Sequence, residues 1–421
     1  MTEDFLYYIW KYRLFTSPLF TADNEEVEVI SPGFHNLNAG PDFSDARLRI
    51  GTTQWAGNVE IHLNTSDWFR HGHQHDKAYE NVVLHVVYNH DLPGQDTHIP
   101  VLEIKDAFNH VLFHRYRDFL SAKRWVPCIN LVSSVPEHEI NLWLERMLIE
   151  RIERKSEMIG LFLELGHNNW EEALYYTLAR SFGFSVNALP FEMMARSLPY
   201  SLLVRHRDNP MQVEALIMGQ AGMLSTEWKD EWPQQLITEY HFLRKKYQLV
   251  PNDLHLWRFL RMRPMNFPTL RLAQFANFMS RTPSLLSQLI ESTTLEALST
   301  VFSSITTSVY WNTHYLFDKP SGLRHKNLGN NAVNLLLINA VLPFLFVYGR
   351  AIDNDVLCNR VLDFYTQIPG EVNTITTHWK AAGMDVRSAF NAQALIGLKN
   401  DYCDHKRCLE CRIGNYLIKV P

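Results

Sequence analysis

Asn38 to His62 reads NAGPDFSDARLRIGTTQWAGNVEIH, and its reading decides the fold of the first part of the chain. ARLRIG and NVEIHL alternate apolar and polar residues with a period of two, and Gly51 with Thr52 stands where a turn would join them. A hairpin is therefore expected, with Asp42 opening its first strand and Glu60 on its second. Residues i and i+2 of a strand share a face, so Glu60 and His62 project together while Val59, Ile61 and Leu63 face the other way. Such an acidic pair is either a metal site or an ordinary hairpin that carries carboxylates.

Upstream, MTEDFLYYIWKYRLF puts Leu6, Ile9, Trp10 and Leu14 on one helical stripe behind an acidic first turn. Downstream, the polar segment NTSDWFRHGHQHDKAYE leads into NVVLHVVYNHD, whose run of Val and Leu predicts a strand buried on both faces. LPGQD reads as a turn and IPVLEIKD as a further strand. The order of helix, hairpin, insertion and two strands defines an α/β domain over residues 1–128. Ser134 to Glu137 reads as a capping box, with Pro136 in the first turn of a long helix through ERMLIERIERK. From there to the end, helices separated by Pro, Gly and Asn make residues 129–421 a mostly α-helical domain. The expected class is α+β.

The chain has 421 residues, 46% of them hydrophobic and 20% charged, the balance of a soluble protein with two or three domains. Its net charge of -5 gives no global case for a nucleic-acid partner, so any such partner must be held by a local patch. Glu3 and Asp4 stand where a secretory signal needs positive charge. The most apolar segment, Asn334 to Gly349, is too short to span a membrane and is interrupted by Asn339 and Pro343, so it reads as a buried helix. A cytoplasmic protein without a membrane partner is expected.

Three groups of residues carry chemistry. At the hairpin, a divalent ion held by carboxylates can neutralise a phosphodiester and turn water into a nucleophile. A rival register is Glu103-Ile104-Lys105 with Asp91 or Asp96, but there the acid sits in a turn and the two carboxylates converge less easily. His71, His73, His75 and Asp76 form the densest ligand group; in an extended segment the three histidines would share one side and hold Zn²⁺. His85, on the buried strand, is a candidate to reach the face of Glu60 and His62. At the C-terminus Cys403, Cys408 and Cys411 follow a C-x4-C-x2-C spacing suited to Zn²⁺ or an iron–sulfur cluster, with Cys128, Cys358 or His405 as the missing ligand. Between Tyr240 and Arg271 seven Lys or Arg stand against one Asp. Lys245, Lys246, Arg258, Arg261 and Arg263 there join phosphate-seeking charge to the stacking surface of Trp257 and Phe259, a pairing suited to nucleic acid.

Pro41-Asp42 followed by Glu60-Ile61-His62 on the next strand resembles the endonuclease-like superfamily with the Pro-Asp...Asp/Glu-x-Lys signature, PD-(D/E)xK. That resemblance implies a restriction-endonuclease-like domain in which Asp42, Glu60 and the Ile61 carbonyl hold Mg²⁺ or Mn²⁺. His62 departs from it, standing where the signature has Lys; it would act as general base or extra ligand, or mark lost catalysis, and Lys77 would supply the missing ammonium. Some nucleases of that superfamily carry an iron–sulfur staple made by one distant cysteine and three C-terminal ones, the layout of Cys128 with Cys403, Cys408 and Cys411. Over nearly the whole chain, GPDFSDARLRI, NVVLHVVYNHD, RMRPMNFPTLRLAQ and the terminal YC...CLECRIGN resemble an uncharacterised bacterial family, domain of unknown function 2851. The function expected is a metal-dependent nuclease acting on DNA or RNA. Its competitors are a catalytically silent nucleic-acid or protein-interaction module and a zinc hydrolase centred on the histidine cluster.

Overall fold

The structure is a computed structural model that describes residues 1–16, 18–92, 98–225 and 227–420. The chain forms two compact units, Met1–Trp143 with Lys399–Pro421, and Leu144–Leu398. This differs from the expected division after residue 128. The C-terminal segment folds with the sheet-bearing unit, and the long helix α4, Glu137–Leu165, begins in one unit and continues in the other.

The first unit is mixed α/β. Helix α1 (Glu3–Lys11) buries Phe5, Leu6, Tyr8, Ile9 and Trp10, and packs on the sheet. The strands are β1 (Leu19–Phe20), β2 (Glu26–Ser31), β3 (Phe34–His35), β4 (Phe43–Ile50), β5 (Thr53–Asn64), β6 (Val82–Asn89) and β7 (Val101–Glu103). They run in the order β1-β2-β4-β5-β6-β7, with β3 on β4. The expected hairpin is β4 and β5: Ile50 pairs with Thr53, and Gly51 turns the chain at a left-handed φ of 56°. β2, β4 and β5 are antiparallel, whereas β6 and β7 join parallel to β5. That change of direction requires a crossover, supplied by α2 (Asp67–Arg70) and two 3₁₀ turns. Gly57 lets β6 come close, because a Cβ there would lie 2.5 Å from Val83 Cγ1 and 2.8 Å from the Asn81 carbonyl oxygen.

After β7 comes α3 (His110–Ser121). The capping box expected at Ser134 does not form; its hydroxyl donates to the Leu131 carbonyl (2.7 Å) and closes a 3₁₀ turn before α4.

The second unit is mostly helical, with one small two-stranded sheet, His314–Leu316 with Lys319–Pro320. The apolar segment forms one helical run, Asn330–Ala351, long and apolar enough to cross a membrane. However, 67% of its most apolar window is buried inside the protein, so the reading as a core helix holds. It is continuous through Pro343 because Leu337–Val341 is a π-helical turn. There the Leu342 N–H reaches back five residues to the Leu337 carbonyl, and Pro343 has no N–H to offer Ile338. The Ile338 carbonyl is satisfied by side chains instead, Lys155 Nζ at 3.2 Å and the Tyr365 hydroxyl at 2.9 Å.

Candidate metal centre

The face of β5 that carries Glu60 and His62 is where the first unit gathers its titratable groups. The register aligns Glu60 with His85 on parallel β6, so His85 joins that face. Glu60, His62 and His85 are 4%, 3% and 0% exposed. Asp42 enters from the start of β4, Glu3 and Tyr7 lie one turn apart on α1, and His71 and His73 come from the crossover.

The two carboxylates are locked together through the main chain. The Asp42 N–H donates to Glu60 Oε2 (3.1 Å), and the Ile61 N–H donates to Asp42 Oδ2 (2.9 Å). Tyr7 adds its hydroxyl to Asp42. Burial pushes Asp42 up to about 6, against the lowering effect of these two hydrogen bonds. Burial, and then the charge of Asp42, push Glu60 up to about 8. No Lys or Arg pairs with either among the described residues. Lys77, expected to supply an ammonium, is exposed on the crossover.

The histidines form a contiguous chain. His62 Nδ1 lies 2.9 Å from His85 Nε2, and His62 Nε2 lies 3.2 Å from His71 Nδ1 and 3.4 Å from Glu60 Oε1. His73 Nε2 is 3.3 Å from the same Glu60 oxygen but off the hydrogen-bonding direction, which leaves this buried nitrogen without a hydrogen-bond partner. Its ring stacks on Tyr79 with centroids 3.9 Å apart. Burial first, and then the neighbouring imidazoles, push His62 down to about 2 and His85 to about 3; His73 is lowered for the same reasons. Among the described residues, His62, His71 and His73 are the group whose ligand atoms all lie within 4.8 Å of one another.

The sequence expectations are thus partly brought together and partly separated. The hairpin carboxylates and the histidine cluster, weighed as rivals, share one site. Within HGHQHD, however, only His71 and His73 turn inward. Gly72, at a φ of 77°, and the 3₁₀ turn His73–His75 break the extended geometry that would have aligned all three histidines. His75 is exposed and Asp76 caps the next turn through the Ala78 N–H (2.9 Å). In the rival register, Glu103 accepts from the His90 N–H and Asp91 from Ser66, so these two are engaged elsewhere. Asp96 lies outside the described residues. Sequence reading missed Tyr7, Tyr79 and Asp67; Asp67 is 1% exposed and holds the crossover by accepting from the Asn64 N–H (3.0 Å). The one available signal was Tyr7, four residues after Glu3 on a helix.

Elsewhere, Cys128, Cys403, Cys408 and Cys411 fall in the same unit. Burial raises each thiol, and Cys403 is raised further by the other three, with Lys399 acting against it. Cys358 belongs to the helical unit, where its thiol faces the Phe346 carbonyl, and His405 is exposed. Of the three candidates for a fourth ligand, Cys128 is the one placed with the terminal cysteines. Lys245, Lys246, Arg258, Arg261 and Arg263 are all exposed. Trp257, expected to offer a stacking face, is core: it is 5% exposed, its indole N–H donates to the Ala221 carbonyl (2.7 Å), and Phe191 meets its ring edge-on.

Neither a curated protein nor a solved structure matches the chain. A model for a family described as protein of unknown function, DUF2851, matches residues 3–374, ending before the terminal cysteines. The chain belongs to that family.

Proposed function

We propose that the chain is a metal-dependent, nuclease-like phosphodiester hydrolase acting on DNA or RNA, with its ion held by Glu60, His62, His71 and His73. The observation that carries this reading is the donor set: three imidazole nitrogens within 4.8 Å of one another, and one carboxylate oxygen 3.3 and 3.4 Å from two of those rings. The donors fit an ion because the buried His73 Nε2 has no hydrogen-bond partner, and a cation satisfies a lone pair that no donor reaches. Three nitrogens to one oxygen favour Mn²⁺ or Zn²⁺ over the Mg²⁺ that an all-carboxylate site would take. A tetrahedral ion would be closed by these four groups, whereas a six-coordinate ion keeps positions for substrate and water, which favours Mn²⁺ for catalysis.

Such an ion supplies a Lewis acid for the phosphoryl oxygen and lowers the pKa of water. The protein's part is positioning and proton transfer. His85 accepts from His62 Nδ1–H, which leaves the lone pair of His62 Nε2 directed into the site. Asp42, steered by the Ile61 N–H and Tyr7 and pushed up to about 6, is suited to take a proton near neutral pH. His62 is too weakly basic for that task and serves as a ligand. The antiparallel run β2, β4, β5 followed by parallel β6, with α1 on β5, supports an endonuclease-like core.

Full-length protein stripped of metal and reloaded with Mn²⁺, Mg²⁺ or Zn²⁺ would be assayed on single- and double-stranded DNA and RNA. Glu60→Gln and His73→Ala, folded by circular dichroism, are expected to lose Mn²⁺-dependent cleavage. Unchanged cleavage in both variants would overturn the site. Binding without cleavage under every ion would instead favour an interaction module.

A further inference from the structure

The helical unit contains a cavity of about 1290 Å³, larger than the roughly 300–1,000 Å³ usual for small-molecule sites. Its wall carries Lys155, Arg180, Arg263 and Arg271 against one acid, Glu371. Glu371 is already engaged, accepting from Asn373 Nδ2 (2.8 Å) and Gln393 Nε2 (2.9 Å). Arg180 is paired with Glu192, which Arg196 shares. That leaves three cations without a carboxylate partner among the hydrogen bonds of the wall.

Arg271 is the most informative of them. It is 7% exposed, yet its guanidinium meets only neutral groups: Gln274 Oε1 (2.9 Å), Asn266 Oδ1 (2.7 Å) and the Phe184 ring, 4.6 Å away. Its Nε is buried with no hydrogen-bond partner. Burying a charge without a counter-charge is costly, and a bound anion removes that cost. Lys155 repeats the pattern from the opposite direction in the sequence. The π-turn frees the Ile338 carbonyl, and Lys155 Nζ takes it together with Asn339 Oδ1 (3.0 Å), again without an acid. Burial, and then Arg151, push Lys155 down to about 7.

The rest of the wall is amide and apolar. Asn327, Asn330 and Asn331 offer donor and acceptor together, as the edge of a base requires, while Phe162, Met158 and Met262 offer a surface for its face. We propose that this cavity binds a nucleoside phosphate, with Arg271, Lys155 and Arg263 holding the phosphate and the asparagines the base or sugar. The ligand is either a free nucleotide or the phosphorylated end of a nucleic-acid strand. This proposal is independent of the ion site, which lies in the other unit.

Calorimetric titration of the full chain in EDTA, which suppresses ion-dependent cleavage, tests it with ATP, adenosine, and a short oligothymidylate with and without a 5′-phosphate. ATP or the phosphorylated strand is expected to bind at least about tenfold more tightly than its unphosphorylated counterpart. Binding of ATP alone identifies a free nucleotide, and binding of the phosphorylated strand alone identifies a strand end. Arg271→Gln and Arg263→Ala should each weaken binding roughly 10- to 100-fold. Arg263 is exposed, so its variant keeps the test valid if Arg271→Gln fails to fold. An anion beside Lys155, which otherwise faces Arg151, Glu371 and Asn339, should also draw a proton at pH 7. That uptake is read from titrations in two buffers and should vanish in Lys155→Met. Equal affinity for adenosine and ATP, no binding of any phosphorylated probe below about 1 mM, or wild-type affinity in both arginine variants would overturn the proposal.

Discussion

Glu60→Gln separates what the buried carboxylate costs from what it does. Glu60 is 4% exposed and its Oε2 accepts the Asp42 N–H, a bond the amide oxygen of Gln can keep. In the ion-free protein its pKa stands near 8 rather than the usual 4.5. For a carboxyl raised in this way, the stability of the neutral form is fully present below about 4.5 and is lost as pH rises through about 8. That span corresponds to at most about 5 kcal/mol, and Asp42, titrating in the same site, takes part of it, which leaves an expected effect of a few kcal/mol. In EDTA, wild type and Glu60→Gln should therefore be equally stable near pH 4.5, and the variant more stable at pH 9. Mn²⁺ should reverse the order near pH 8, because an ion at a hundredfold its Kd adds about 2.7 kcal/mol to a protein that binds it. Urea unfolding across this pH range, with and without Mn²⁺, measures both effects. A variant that is less stable at pH 9 in EDTA, or that gains as much from Mn²⁺ as wild type, would refute the reasoning.

Three other outcomes are expected. His85→Asn should lower ion affinity about 10- to 100-fold, measured by competition with a chelating dye, because His85 orients His62 from behind. Gly57→Ala should shift the urea midpoint by about 1–3 kcal/mol, since its Cβ would strike the Asn81 carbonyl and Val83; an unshifted midpoint would mean that β5 and β6 separate freely. Protein purified without air should carry zinc or an iron–sulfur cluster at its terminal cysteines, and Cys128→Ser should lose it; equal metal content and visible absorption in the variant would exclude Cys128 as a ligand.

The hairpin and the buried strand were legible in the sequence because period-two alternation and a Val-rich run report burial directly. His85 was legible for the same reason: strand parity, together with parallel pairing, places it beside Glu60. The histidine segment was not, because period-two logic holds only for extended chain, and Gly72 with the following 3₁₀ turn sends His75 outward while His73 turns in. Trp257 misled for a related reason. Aromatic and basic residues alternate there in the sequence, but the segment Leu254–Leu256 is a 3₁₀ turn, so neighbours in the chain face different environments. The placement of the last residues against the first was beyond local pattern altogether, since no periodicity reports which unit a terminal segment joins.

The π-turn at Leu337–Val341 also constrains how this chain can change. It amounts to one extra residue wound into a helix, and every side chain after it is set by that insertion. Deleting a single residue there would restore regular winding but rotate Pro343–Ala351 by about 100°. Phe344 and Tyr348 would swing off Trp170, which they now meet edge-on at 5.7 and 5.0 Å. The helix therefore tolerates substitution far better than a change of length, and its residue count is as much a part of the fold as its composition.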